Sequence, residues 1–351
     1  MEIAIISFSR RGIKLGQRLL AGLREKGWQA HAFAKCKSTE SQCGQSCQPI
    51  EESIGAWTGK HFSKFDALIF VGACGIAVRS IAPYVKKKTT DPAVVVVDER
   101  GVFSISLLSG HIGGGNDLAQ TAAEIIGAQP VVTTATDLNQ VFAVDVFAKK
   151  NGCSISDMRY AKEISARLLE GKTIGFSSDF PWNKELPSGL VPEGKGEKPE
   201  LGIALSVYRK ERPFLHTLYL TPKVVTLGIG CRKGTPMEKI EKAVSEAREW
   251  LQIPEEALFQ AASIDLKKEE PGIVEYCQKR GIPYVTFSAE ELQALEGEFT
   301  PSSFVQSVAG VDNVCERSAL LASGGGRLIL RKTAGDGVTV ALAMKEWIPV
   351  F

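Results

Sequence analysis

The sequence predicts an α/β protein with an N-terminal doubly wound parallel-sheet domain, a middle region, and a second, smaller α/β domain at the C-terminal end. Three observations lead there. Short β-branched runs such as Val94–Val97 alternate with helical patterns, as strands buried on both faces of a parallel sheet do. Glycine-rich turns join strand ends to helix starts at several places. A chain of 351 residues also exceeds what one hydrophobic core usually organises. The divisions fall at residues 1–150, 151–221 and 222–351.

Taken in order, Ile3–Phe8, a helix from Arg11 to Lys26 and Gln29–Phe33 form a βαβ opening. After a polar, cysteine-bearing stretch comes Ala67–Val71, whose glycine exit leads into a helix through Ile81. Val94–Val97 and Val102–Ser106 follow, joined by Asp98-Glu99-Arg100-Gly101, which reads as a turn. A helix then runs from Leu118 to Ile126. The middle region carries shorter strands, Thr173–Phe176 and Ile203–Val207, among Pro/Gly/Lys-rich stretches. Thr221-Pro222-Lys223 introduces a fresh strand, Val224–Ile229, and a helix from Pro236 to Leu251 with Ile240, Val244, Ala247 and Leu251 on one face. Ala261–Ile264, a helix at Ile273–Arg280, Pro283–Phe287, a helical Ala289–Leu295 and a closing strand Val338–Met344 complete the order.

Composition excludes several classes. The 42 basic residues are balanced by 40 acidic ones, so the overall field that drives non-specific nucleic-acid binding is missing. No apolar run approaches the roughly 20 residues that span a bilayer, and the first strand is too short and wrongly flanked for a signal peptide. A cytoplasmic location with reduced thiols is expected. The spacing of Cys36, Cys43 and Cys47 matches no familiar zinc or iron–sulfur pattern, and surface-loop thiols are the expectation.

The strongest local signal is Ser109-Gly110-His111-Ile112-Gly113-Gly114-Gly115-Asn116-Asp117, a glycine turn between a strand and a helix. Glycines admit a bound group close to backbone amides, and a helix start favours an anion. The turn lacks both the Walker ending and a Rossmann register. His111 is the acid–base candidate, because imidazole moves protons near neutral pH, with a loop hydrogen bond or helix cap as its other reading. Ser109 is a nucleophile without the usual elbow, or else a cap or substrate contact. Gly72, Cys74, Gly75 and Arg79 follow another strand end, where open α/β sheets hold ligands; Arg79 would clamp a carboxylate or simply be solvated. Thr133, Thr134 and Asp137 offer hydroxyls and a carboxylate at a third strand end, or a capping signature. Gly230, Cys231 and Arg232 form a cationic turn after Val224–Ile229. Asp312–Glu316 leads into a helix, and Ser323 and Gly324 open a flexible turn unless packing demands its glycines.

The segments VGACGIAVRSIAP, VVVVDERGVFSISLLSGHIGGGNDLA, VVTTATD and GIGCRKGTP, in this order and spacing, resemble the CbiG family across almost the whole chain. One departure is Gly115, where the family pattern leads us to expect alanine. The resemblance implies a hydrolase of anaerobic cobalamin biosynthesis, which opens the δ-lactone of cobalt-precorrin-5A and expels acetaldehyde to give cobalt-precorrin-5B. It implies a polycarboxylate corrinoid as substrate, cobalt arriving chelated within it, no protein metal site or further cofactor, and contacts with neighbouring enzymes of the pathway. On this reading His111 handles the water or leaving-group proton, amides around Gly113–Gly115 stabilise the oxyanion, and the glycine turns anchor ring carboxylates. A non-catalytic corrinoid carrier of the same pathway is the alternative, and release of acetaldehyde separates the two.

Overall fold

The computed structural model describes residues 1–35, 46–87, 90–111, 113–134, 141–183, 185–194, 199–210 and 212–351. The chain divides into two compact units, Met1–Val141 and Phe142–Phe351.

The first unit runs β1 (Glu2–Ser7), α1 (Arg10–Glu25), β2 (Gln29–Ala34), β3 (Gln48–Pro49), α2 (Ile54–His61), β4 (Ala67–Val71), α3 (Cys74–Ile81), β5 (Ala93–Val97), β6 (Phe103–Leu108), α4 (Gly115–Ile126) and β7 (Gln129–Val131). Its sheet has the order β3-β2-β1-β4-β5-β6-β7. The first five strands are parallel, and both faces are covered. Ile3, Ile5, Ile69 and Val95 face α1 and α4, whereas Ala4, Ile6, Phe70 and Val96 face Trp57 of α2 and Ile81 of α3. That two-sided burial is why the strands read as continuous apolar runs. Cys47 is buried in the first of these cores rather than sitting in a surface loop, while Cys36 and Cys43 lie outside the described residues.

One strand departs from the parallel expectation. β6 runs antiparallel to β5, with Val97 opposite Ser104 and Val94 opposite Leu108. The connection is a tight loop built on Asp98, whose carboxylate accepts from the amides of Arg100 (2.8 Å), Val102 (2.8 Å) and Phe103 (2.5 Å). Gly101 takes φ +69° there, a conformation that glycine adopts without steric cost.

The second unit holds two sheets. The first is built from α5 (Val144–Lys150), β8 (Cys153–Ile155), α6 (Met158–Leu169), β9 (Ile174–Ser178), β10 (Leu190–Pro192), β11 (Leu201–Leu205) and β12 (His216–Pro222), in the order β10-β9-β11-β12-β8. Only β8 is antiparallel to its neighbour. Thr221 and Pro222 end β12 instead of opening the next strand. The second sheet contains β13 (Val225–Cys231), α7 (Met237–Leu251), β14 (Leu258–Ile264), α8 (Pro271–Arg280), β15 (Tyr284–Phe287), α9 (Ala289–Gln293), α10 (Ser303–Ala309), α11 (Cys315–Ala322), β16 (Arg327–Gly335) and β17 (Val338–Met344). Its order is β15-β14-β13-β17-β16, with β13, β14 and β15 parallel and the last two strands an antiparallel hairpin.

The Asp312–Glu316 segment fastens this sheet. Glu316 is fully buried and accepts from the Thr300 amide (2.9 Å), the Thr300 hydroxyl (2.8 Å) and the Lys332 amide (2.7 Å). Arg317, also buried, donates to Asp312 and to the Leu292 and Leu295 carbonyls. A buried charge is tolerable when its lone pairs and protons are matched in this way.

Asp98→Ala removes three charge-assisted acceptor bonds from the β5–β6 loop. We expect the β6 amides to exchange with deuterium about thirtyfold faster, corresponding to about 2 kcal/mol. Unchanged protection of β6 would refute the role given to Asp98.

Candidate functional site

Because β6 reverses direction, the Ser109 turn emerges at the edge of the sheet where β4 and β5 begin. The turn is wound tightly on itself. A side chain at Gly113 would come within 2.4 Å of Ser109 Cβ and 2.5 Å of the Ser109 carbonyl, and one at Gly110 within 2.5 Å of Asn116 Oδ1. At Gly115 the nearest atom would be the Leu108 carbonyl oxygen, at 2.9 Å. Close internal packing therefore accounts for these glycines. The amides of Gly114, Gly115 and Asn116 donate to the carbonyls of His111 (3.0 Å), Ser109 (3.1 Å) and Gly110 (2.9 Å). The expected oxyanion donors at Gly114 and Gly115 are thus turned inward and engaged.

Ser109 is held at φ +53°, and its hydroxyl donates to the Asp91 carbonyl at 3.0 Å, which ties the turn to the segment entering β5. The side-chain amide of Asn116 donates to the Thr134 hydroxyl at 3.3 Å, so the strand end at Thr133 and Thr134 joins the same assembly. His111 is half-buried on this turn. Asp137 lies outside the described residues.

Gly72, Cys74, Gly75 and Arg79 occupy the opposite edge, where β4 ends beside β1. In a doubly wound sheet this is the point at which the strand order reverses. A side chain at Gly72 would strike the Phe8 ring at 2.8 Å, and the exposed Arg79 guanidinium folds back to within 3.5 Å of the Gly75 position. Cys74 packs half-buried against the core. The length of β5, about 17 Å for five residues, separates this edge from the Ser109 turn. The two turns therefore stand at opposite edges of the sheet.

In the second unit, Gly228 lies against the first turn of α11, where a side chain would meet the Cys315 carbonyl oxygen at 1.8 Å, and Gly230 lies 2.5 Å, on the same measure, from Thr339 Oγ1. Packing explains both. Cys231 and Arg232 follow at the end of β13, and the Arg232 amide donates to the Gly337 carbonyl. Burial raises the Cys231 thiol above its ordinary range. Glu270 accepts from the Gly234 amide (2.6 Å) and from Lys267 (2.8 Å). Burial pushes its carboxyl up, but the Lys267 ammonium and the backbone amides outweigh it and hold it below the usual range. Ser323 and Gly324 sit at the other edge of this sheet, since Arg327 pairs with Met344 and Met344 with Val225 at the start of β13. Ser323 accepts from the Gly326 amide.

Two cavities of the second unit escaped the sequence reading. One, of about 580 Å³, opens at the ends of β9 and β11 and is lined by Asp179, Ser206, Tyr208, Lys210 and Trp250 among others. The other, of about 810 Å³, is lined by Asp179, Gly325, Arg327, Lys345 and Trp347 among others. Asp179 belongs to both and accepts a short hydrogen bond from Ser206 Oγ. Burial raises the Tyr208 phenol, and the shared Asp179 places the two cavities side by side. The available signal was positional, Asp179 and Ser206 each standing directly after a parallel strand. Among the described residues no group of three His, Cys, Asp or Glu side chains could hold a metal ion, and no helix is long and apolar enough to cross a membrane.

Comparison with known proteins decides the kinship. Family models for the cobalamin synthesis G N-terminal region, the cobalamin biosynthesis central region and the cobalamin synthesis G C-terminus match residues 56–137, 142–222 and 225–343. The chain belongs to the CbiG family. Cobalt-precorrin-5A hydrolase of Salmonella typhimurium strain LT2 is 35% identical, the match covering 98% of this chain and 97% of that protein. The Priestia megaterium protein of the same name is 29% identical over 98% of this chain and 95% of its own length. A cobalamin biosynthesis protein G homologue from Sulfolobus solfataricus, known from a crystal structure, is 24% identical with a TM-score of 0.43, covering 98% of this chain and 97% of the other.

For a group held below its unfolded value, the stabilising contribution is full above the unfolded pKa and is lost as pH falls through the folded one. Glu270 is such a group. Lys267→Met in this CbiG chain should raise the Glu270 pKa and move the onset of acid unfolding, followed by tryptophan fluorescence, to higher pH. An unmoved onset would remove Glu270 from the acid limb.

Proposed function

We propose that this chain hydrolyses cobalt-precorrin-5A, opening its δ-lactone and releasing acetaldehyde to leave cobalt-precorrin-5B. The near-full-length kinship to the Salmonella typhimurium hydrolase carries the reading. Water adds to the lactone carbonyl, the ring C–O bond breaks, and the proton removed from water reaches the departing oxygen. The freed hydroxyl on the two-carbon unit then loses its proton, the carbon–carbon bond to the macrocycle breaks, and acetaldehyde leaves. The macrocycle takes the electron pair and a proton. One water is consumed and no external oxidant or reductant is needed.

His111 is the residue to which we assign proton movement. It sits half-buried in a turn that cannot shift easily, because three engaged amides and the Ser109–Asp91 bond hold the backbone. Rigid presentation matters, since a general base must stay within hydrogen-bond reach of the proton it takes. Ser109 serves as a positioning residue, its hydroxyl being committed to the Asp91 carbonyl. Neutralising the oxyanion falls to groups other than the Gly114 and Gly115 amides. Arg79 and Arg232 remain proposed carboxylate contacts at separate strand ends. Cobalt enters chelated in the substrate, with no cofactor held by the protein, and the reaction belongs in the cytoplasm with contacts to neighbouring enzymes of the pathway.

The test is anaerobic incubation with cobalt-precorrin-5A, acetaldehyde being read through coupled alcohol dehydrogenase. Wild type should give one acetaldehyde per substrate, and His111→Ala should lower kcat about 10²- to 10⁴-fold with KM little changed. Wild type that retains the corrinoid and forms no acetaldehyde would establish the carrier reading instead. Full activity in His111→Ala would withdraw His111 as the base.

A further inference from the structure

We infer that the paired cavities around Asp179 in the second unit are the seat of the corrinoid ring. The inference rests on the proposed reaction for the identity of its ligand.

The smaller cavity opens where the parallel strands β9 and β11 end, which is where open α/β sheets hold their ligands. The larger, of about 810 Å³, is already near the upper end of the roughly 300–1,000 Å³ common for small-molecule sites. A tetrapyrrole with its peripheral side chains requires that much room. Trp250, at the end of α7, is 81% exposed on the rim of the smaller cavity. Leaving so large an apolar surface in water forgoes the free energy that its burial would release. A flat ligand covering the indole would recover it. Trp347 supplies a second aromatic wall, held edge-on by Phe180 with ring centroids 5.0 Å apart.

The polar lining suits the periphery of a polycarboxylate. Lys210, Arg327 and Lys345 present cations, and the Lys345 ammonium is steadied 4.2 Å above the Phe259 ring. Carboxylates are present too: Asp179 between the cavities, with Glu193 and Glu346 at their margins. Charge alone therefore does not make an anion sink. The ligand that satisfies aromatic walls and spaced cations together has an apolar face and carboxylates at its rim. Gly325 extends the same surface, since a side chain there would meet nothing within 4 Å.

The full-length chain is titrated with cobyrinic acid, a cobalt corrinoid polycarboxylate without the lactone, and with its fully methyl-esterified form, by calorimetry. Trp250→Ala and Arg327→Gln, both at exposed positions, should each weaken cobyrinic acid binding about tenfold, and the ester should bind about tenfold more weakly than the acid. Lys26→Gln, an exposed charge change in the first unit, is the control and should bind as wild type. With cobalt-precorrin-5A the two cavity variants should raise KM and keep kcat, the opposite split from His111→Ala. Wild-type affinity in both cavity variants, or no binding of cobyrinic acid by wild type, would overturn the assignment. Equal binding of acid and ester would overturn the cationic grip. Trp250-dependent binding in a chain that forms no acetaldehyde would instead leave the seat in place and remove the hydrolase reading.

Discussion

The carboxylate of Asp98 fixes where the candidate residues of the first unit stand. By accepting from three successive-turn amides it reverses the chain after β5, and β6 returns along the sheet antiparallel to its neighbour. That reversal carries His111 to the edge opposite the strand-order switch. Had β6 run parallel, His111 and Arg79 would share one rim, as a conventional doubly wound protein arranges its ligand contacts. The sheet instead holds the two glycine turns at separate edges.

Many strands and helices were legible because their burial is written in the apolar pattern, whereas α6 and β12 of the middle region were not read. Ala67–Val71 and Val338–Met344 have the bounds that the apolar runs predict, and the helix read from Pro236 to Leu251 begins one residue later. Direction was not legible, since it depends on a side chain bonding to amides a few residues ahead, which periodicity does not register. β16 was hidden for a different reason. It is an edge strand with a mostly half-exposed or exposed face and two register irregularities, so its polar residues resemble a loop.

Glycine was the most ambiguous letter at the candidate site. The same residue permits close approach of a ligand or of the protein's own backbone, and Gly113, Gly228 and Gly326 prove to be of the second kind. At Gly326 the crowding atom is the Met344 carbonyl oxygen, 2.1 Å from where a side chain would begin. Kinship in such motifs reflects packing as much as chemistry. The cavity residues went unread because their meaning depends on two sheets in one unit. Trp250 follows an apolar stripe in sequence, and its exposure is visible only once α7 has been placed.

The stitching of the second unit bears on how it is made. Asn151 bonds through both side-chain atoms to the backbone of Val350, 199 residues further on, and Phe351 packs against Phe142, Phe147 and Phe176. β17, which flanks β13 at the centre of its sheet, is also supplied late. A nascent chain leaving the ribosome can therefore complete the first unit's sheet early, while α5 and β13 wait with open apolar edges for partners not yet synthesised. During that interval the growing polypeptide is most exposed to aggregation and most dependent on chaperones.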